Sequence, residues 1–276
     1  MTELKYKFTY DTLFKLLFVR YPDLLKRLVA AILGISVDAI TEFTITNPDI
    51  PPEAIGEKFC KLDISMVVNG QRANLEVQVE DEGDYPERSL YYWARLYASA
   101  LKAGSPYSSL PRVFIISIVD FKMFDCAEYR SEFLALEKGR HELLSDRMAM
   151  LFFEVRKLPK DIDVKNELEL MLSLFRVKTE EELKQLEALE VPIVTQAIGA
   201  YREVVVSPQF RELERLRADA RHNEASALLN AERKAEKAER EKWQGVVTEL
   251  RDTVADKDAE IERLRAQLAN QNGNNN

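Results

Sequence analysis

Cysteine is nearly absent from the chain: only Cys60 and Cys126 occur. Two thiols are too few for a disulfide framework or a cysteine-based metal centre, which fits a reducing compartment. Both are expected to fill space. Histidine is as scarce, and His141 and His222 stand outside any ligand pattern and are read as structural. No Ser-His-Asp, Cys-His or P-loop constellation appears, so those forms of nucleophilic and nucleotide chemistry drop out. There is no basic excess, because 39 Lys and Arg against 47 Asp and Glu leave a net charge of −8. Bulk charge therefore announces no nucleic-acid partner, although a local basic stripe on an acidic body stays open. Long apolar runs are missing too. The most hydrophobic run, VFIISIV at 113–119, is far too short to span a bilayer, and the opening MTELKYKFTYDTLF has no apolar h-region. A soluble cytoplasmic protein with no membrane partner is expected.

What is present is enough apolar material for a sizeable core, 46% of 276 residues, in one large domain or a domain with an appendage. Phe14, Leu17, Phe18, Leu24, Leu25, Leu28 and Ile32 recur at helical spacing over 9–33, interrupted near Tyr21-Pro22 and stopped at Gly34. EFTITN (42–47) reads as a first strand. Two alternating runs follow, FCKLDISMVV and QRANLEVQVE, joined at Asn69-Gly70. Pro86 and Gly104 bracket a helix over 86–103, and 112–119 is a strand buried on both faces. Further on, the pattern predicts a helix around 126–138, a strand around 148–155 and helices within 164–206. The order helix, three strands, helix, strand is that of a mixed α/β core.

Beyond Phe210 the chain becomes charge-dense. Trp243, Val247, Leu250, Val254, Lys257, Ile261, Leu264 and Leu268 alternate steps of four and three, a heptad seam broken by Lys257. Such a seam wants a partner helix. Self-association through a coiled coil is preferred over a lone helix folded back on the body. The expected organisation is a domain over 1–206, a charged helix over 207–270 and a disordered polar tail over 271–276.

Asn-Gly between alternating runs is a strong hairpin signal, because a type I′ turn needs positive φ at both central residues. With Val68 opposite Gln71, one face pairs Leu62 with Val77, Ile64 with Leu75 and Met66 with Ala73. The other pairs Lys61 with Gln78, Asp63 with Glu76 and Ser65 with Asn74. A slip of one residue would mix the two sets, which supports the register. Asp63 and Glu76 then confront each other, and opposed like charges are destabilising. A shared proton or a bound cation would compensate. Two hard carboxylates suit Mg²⁺ or Mn²⁺, which takes its remaining ligands from water and phosphate. The bland alternative is a solvated face whose carboxylates splay apart or pair with Lys61 and Arg72. Mid-strand charges flanked by helices argue against it and leave substrate to cover the face.

Together DTLFKLLF (11–18), KLDI (61–64), LEVQ (75–78), the segment from Arg88 to Leu110 and RVFIISIVDFKMF (112–124) resemble the PD-(D/E)XK nuclease family transposases, also called the Rpn family. The resemblance spans about residues 5–125 and, less clearly, continues to about 206. It implies a PD-(D/E)XK core with a helical extension and a metal-dependent DNA endonuclease associated with recombination. Asp63 and Glu76 would be the metal ligands. The departure is Gln78, where the broader superfamily motif carries Lys. Glutamine supplies no charge, so Gln78 would orient by hydrogen bonds, and Lys61 opposite it is the expected source of the cation. Asp11, one helical turn before Lys15, reads as a local ion pair or a further active-site acid. Arg88, Tyr92 and Arg95 share a helix face suited to DNA, whereas Tyr91 and Trp93 read as core. The competing function is a catalytically idle nuclease fold that binds DNA or protein and oligomerises through its tail.

Overall fold

A computed structural model describes residues 2–46, 49–50, 60–61 and 63–273. It divides into two units, Met1–Leu213 and Glu214–Asn276. In the first, α1 (Asp11–Arg20) and α2 (Pro22–Leu33) meet at Tyr21, as the interrupted periodicity predicted. Pro22 opens α2 because its missing N–H would go unpaired there anyway, and Gly34 closes it with φ 66°. The strands that follow are β1 (Phe43–Thr46), β2 (Asp49–Ile50), β3 (Cys60–Lys61), β4 (Ile64–Val68) and β5 (Gln71–Gln78). After α3 (Tyr85–Ala98) come β6 (Val113–Val119), β7 (Arg130–Leu136) and β8 (Leu143–Glu154). Three helices, α4 (Glu167–Arg176), α5 (Glu180–Glu187) and α6 (Pro192–Val206), complete this part, and α7 runs Pro208–Gly273.

The main sheet is mixed, in the order β1-β4-β5-β6-β8-β7, with β5, β6 and β8 parallel and the rest antiparallel. Burial on both faces explains why β6 is apolar at every position but Ser117, and all seven of its residues are buried. One face carries Ala73, Leu75, Phe114, Ile116 and Ile118 into a core shared with α1, α2, α4 and α6. The opposite face carries Val113, Ile115, Val119, Met150 and Phe152 into a smaller cluster with Tyr85 and Leu96 of α3.

The hairpin has the predicted register, from Val68↔Gln71 to Ile64↔Leu75, with φ 49° at Asn69 and 73° at Gly70. Asn69 does more than turn. Its Oδ1 accepts from the Thr41 and Glu42 amides and its Nδ2 donates to the Ala39 carbonyl, pinning the hairpin tip to the start of β1.

Several expectations are corrected. The stretch 126–138 is no helix: it holds β7, an edge strand paired antiparallel with β8. Its Glu, Ala and Leu favour a helix locally, but Phe133 stacks within 5.7 Å of Phe124 and Phe152, and packing on the sheet overrides propensity. β8 starts at Leu143 rather than 148, and α3 ends at Ala98 rather than 103, leaving Gly104 (φ 80°) in a following turn. Cys126 is exposed and fills no space; the side chain of Cys60 lies outside the described residues. The helix α7 reaches Gly273, into the predicted tail, and 274–276 lie outside the described residues. On this helix Trp243, Val247, Leu250, Val254, Ile261 and Leu264 are all largely exposed, while the Leu268 side chain is undescribed.

Replacing Asn69 with Ala removes a residue suited to positive φ together with its hydrogen bonds to Ala39, Thr41 and Glu42. Urea unfolding is expected to show a loss of about 2–4 kcal/mol.

Candidate active site

Asp63 lies immediately before β4 and Glu76 sits in β5, so the hairpin register brings them together. The ladder stops at Ile64↔Leu75, however, and the pair meets in a different way. The Asp63 amide donates to Glu76 Oε1 at 3.0 Å, and the Val77 amide donates to Asp63 Oδ2 at 3.1 Å. Each carboxylate therefore takes a backbone donor from its neighbour's stretch of chain, which holds the two side chains close and offsets part of their repulsion.

Glu76 is only 6% exposed. Its Oε1 also accepts from Asn74 Nδ2 at 2.7 Å, and Asn74 Oδ1 in turn accepts from Ser65 Oγ at 3.4 Å. Burial first, and then the charge of Asp63, push the Glu76 carboxyl up to about 8, against the pull of its hydrogen bonds. Both causes favour the protonated form of Glu76.

The face is not left for substrate alone to cover, as expected from sequence. Ser117, the β6 register mate of Glu76, accepts from the Tyr85 hydroxyl at 2.9 Å, and Tyr85 is itself buried at the start of α3. Burial, and next the Glu76 charge, raise the Tyr85 phenol well above its usual range. Sequence reading missed Asn74, Ser117 and Tyr85. Ser117 interrupts an otherwise apolar buried strand, a signal that was legible.

It also missed the reach of Lys15. That ammonium lies 2.7 Å from Asp11 Oδ1, the local pair anticipated, and 3.0 Å from Asp63 Oδ1. Burial works to lower its pKa, but the charges and hydrogen bonds of Asp63 and Asp11 outweigh this and raise it. Asp11 is therefore connected to the site through Lys15.

The remaining candidates are more scattered. Gln78 closes β5 two residues past Glu76, donating from Nε2 to the Glu80 carbonyl at 3.3 Å. Lys61 pairs through its backbone with Asp49 in the separate β2–β3 ladder, and its side chain lies outside the described residues. The expected Lys61–Gln78 pairing is not part of the β4–β5 ladder. Arg88 places its guanidinium 4.9 Å from the centre of the Tyr85 ring and pairs with Glu82 at 2.8 Å, which ties it to the site's covering helix. Tyr92 packs with Tyr91 and Trp93 against the smaller core cluster, and Arg95 is half-buried farther along α3. Tyr91 and Trp93 are partly buried there.

Among the described residues no group of three or more His, Cys, Asp or Glu forms a self-contained metal cage. The donor set nonetheless fits a hard divalent cation. Mg²⁺ is commonly held by one or two carboxylates with water and phosphate, and Asp63 with the buried Glu76 sets two carboxylates side by side at the strand end.

The PD-(D/E)XK nuclease family transposases match the chain over residues 8–231. No curated protein and no solved structure matches it.

The raised Glu76 pKa has a definite thermodynamic sign. Between the ordinary value of 4.5 and about 8, the folded state holds a proton that the unfolded state has released. The Glu76 contribution to stability is therefore greatest below the lower value and is lost as pH rises through the higher. In EDTA, Glu76→Gln is expected to gain about 2–4 kcal/mol over wild type between pH 5 and pH 8 in urea unfolding.

Proposed function

The chain belongs to the PD-(D/E)XK nuclease family transposases, and from that premise we propose that it is a divalent-metal-dependent DNA endonuclease. It hydrolyses phosphodiester bonds in recombination-associated DNA, in the cytoplasm. The observation that carries this reading is the Asp63–Glu76 clasp at the end of the hairpin, with one carboxyl buried and its pKa raised by that burial and by the other's charge. Asp63 and Glu76 would hold Mg²⁺ or Mn²⁺. That ion, when bound, activates water and stabilises charge on the phosphodiester.

The chain's own groups do the rest. Glu76 must release its proton to become a ligand, so metal uptake is coupled to pH. Asn74 and the Asp63 amide then fix the orientation of its carboxylate. Gln78 carries no charge and acts as a hydrogen-bonding orienter at the strand end. Tyr85 and Ser117 shield one side from water, which strengthens charge interactions inside. Arg88, with Tyr92 and Arg95 on the same helix, offers contacts to the DNA backbone. The exposed seam of α7 joins two copies as a coiled coil, so that two sites address both strands. The second reading, an idle nuclease fold that binds DNA or protein, draws its support from Gln78 in place of a lysine.

Plasmid nicking is expected in Mg²⁺ and not in EDTA, and Asp63→Asn and Glu76→Gln are each expected to reduce it to background. A well-folded wild type with no metal-dependent nicking would leave the idle reading standing. Light scattering is expected to show a dimer that becomes monomeric in the double variant Leu250→Glu, Leu264→Glu.

A further inference from the structure

Lys15 occupies a position that a purely structural ion pair does not require. Asp11 satisfies its ammonium at 2.7 Å within one turn of α1, yet the same ammonium also reaches Asp63 at 3.0 Å. The backbone of α1 is anchored by the buried Leu13, Phe14, Leu16, Leu17 and Phe18. Only the four-carbon stem of Lys15 is left to move. An ammonium on such a stem is a compact charge with rotatable donors, suited to exchanging one carboxylate for another, as a planar guanidinium is not.

Resting on the nuclease reading above, we infer that Lys15 is a competing cation of the metal site. It neutralises Asp63 in the metal-free protein and withdraws to Asp11 when a divalent ion takes Asp63. Asp11 is then the alternative seat for the lysine rather than a ligand. The withdrawn ammonium stays beside the site as a positive charge available to a phosphate oxygen, the charge that Gln78 does not provide. Two cations at one carboxylate repel each other, so the lysine must weaken metal binding while aiding cleavage. That opposition is a signature no structural ion pair produces.

Calorimetric titration of the full-length protein with Mn²⁺ tests this directly. Lys15→Met is expected to tighten Mn²⁺ binding about tenfold and yet to slow plasmid cleavage. Asp11→Asn removes the alternative seat, so it is expected to weaken Mn²⁺ binding severalfold in wild type and to have no effect in the Lys15→Met background. Unchanged or weaker Mn²⁺ binding in Lys15→Met overturns the inference. So does an equal Asp11→Asn effect in both backgrounds, which would make Asp11 a ligand. If Lys15→Met does not fold, Asp11→Asn with Lys15→Arg carries the test. Arginine keeps the charge but cannot exchange seats, so the inference is overturned if Asp11→Asn fails to weaken binding in wild type, or if its effect is undiminished in the Lys15→Arg background. A wild type that binds Mn²⁺ and cuts DNA while these variants leave affinity flat defeats only the lysine's role. A folded wild type that neither binds Mn²⁺ nor cuts defeats the nuclease reading, and this one with it.

Discussion

A carboxylate removed from water needs a counter-charge, a proton or a set of donors, and at Glu76 the donors and the proton outweigh the charge. Its oxygen is held by Asn74 and by the Asp63 amide, burial and the Asp63 charge favour its protonated form, and Lys15, paired with Asp63, opposes them only in part. Everything around the site answers to that arrangement. Lys15 neutralises Asp63, the Val77 amide holds its second oxygen, and Tyr85 closes the apolar side. Such a network is rigid when every member is satisfied and costly when one is removed.

The sheet explains why these groups can be assembled at all. A hairpin places Asp63 and Glu76 at one end of the ladder, and the crossover from β5 to the parallel β6 carries α3 with it, so Tyr85 arrives above Ser117. The opposite face of the sheet packs on α1, which brings Asp11 and Lys15 to the same end. Residues separated by up to about one hundred positions in the chain thus converge on one carboxylate pair because two layers of helix sandwich one sheet.

Some of this was legible in the chain. Asn69-Gly70 and the alternation on either side specify a turn and a register, because the pleat has period two and a slip would mix the apolar and polar sets. The apolar run at Val113–Val119 specifies a doubly covered strand, and Pro22, through its missing N–H, and Gly34, through its positive φ, mark helix ends. These features depend on near neighbours, and for that reason the residues themselves disclose them. The error at Arg130–Leu136 has the opposite origin: helix-forming residues there obey a partner strand and the rings of Phe124 and Phe152, which the local pattern does not contain.

The sequence alone therefore established the hairpin, the pairing that makes neighbours of Asp63 and Glu76, and the family resemblance of the ordered segments. Tertiary structure alone decided how the pair is held, through backbone amides rather than across the ladder. It also decided that Tyr85 sits against Ser117, the register mate of Glu76, and that Lys15 of α1 brings a cation to Asp63. The division follows from range. Register is set by spacing along one strand and its turn, whereas the charge a carboxylate meets is set by whichever helices the packed sheet draws against it.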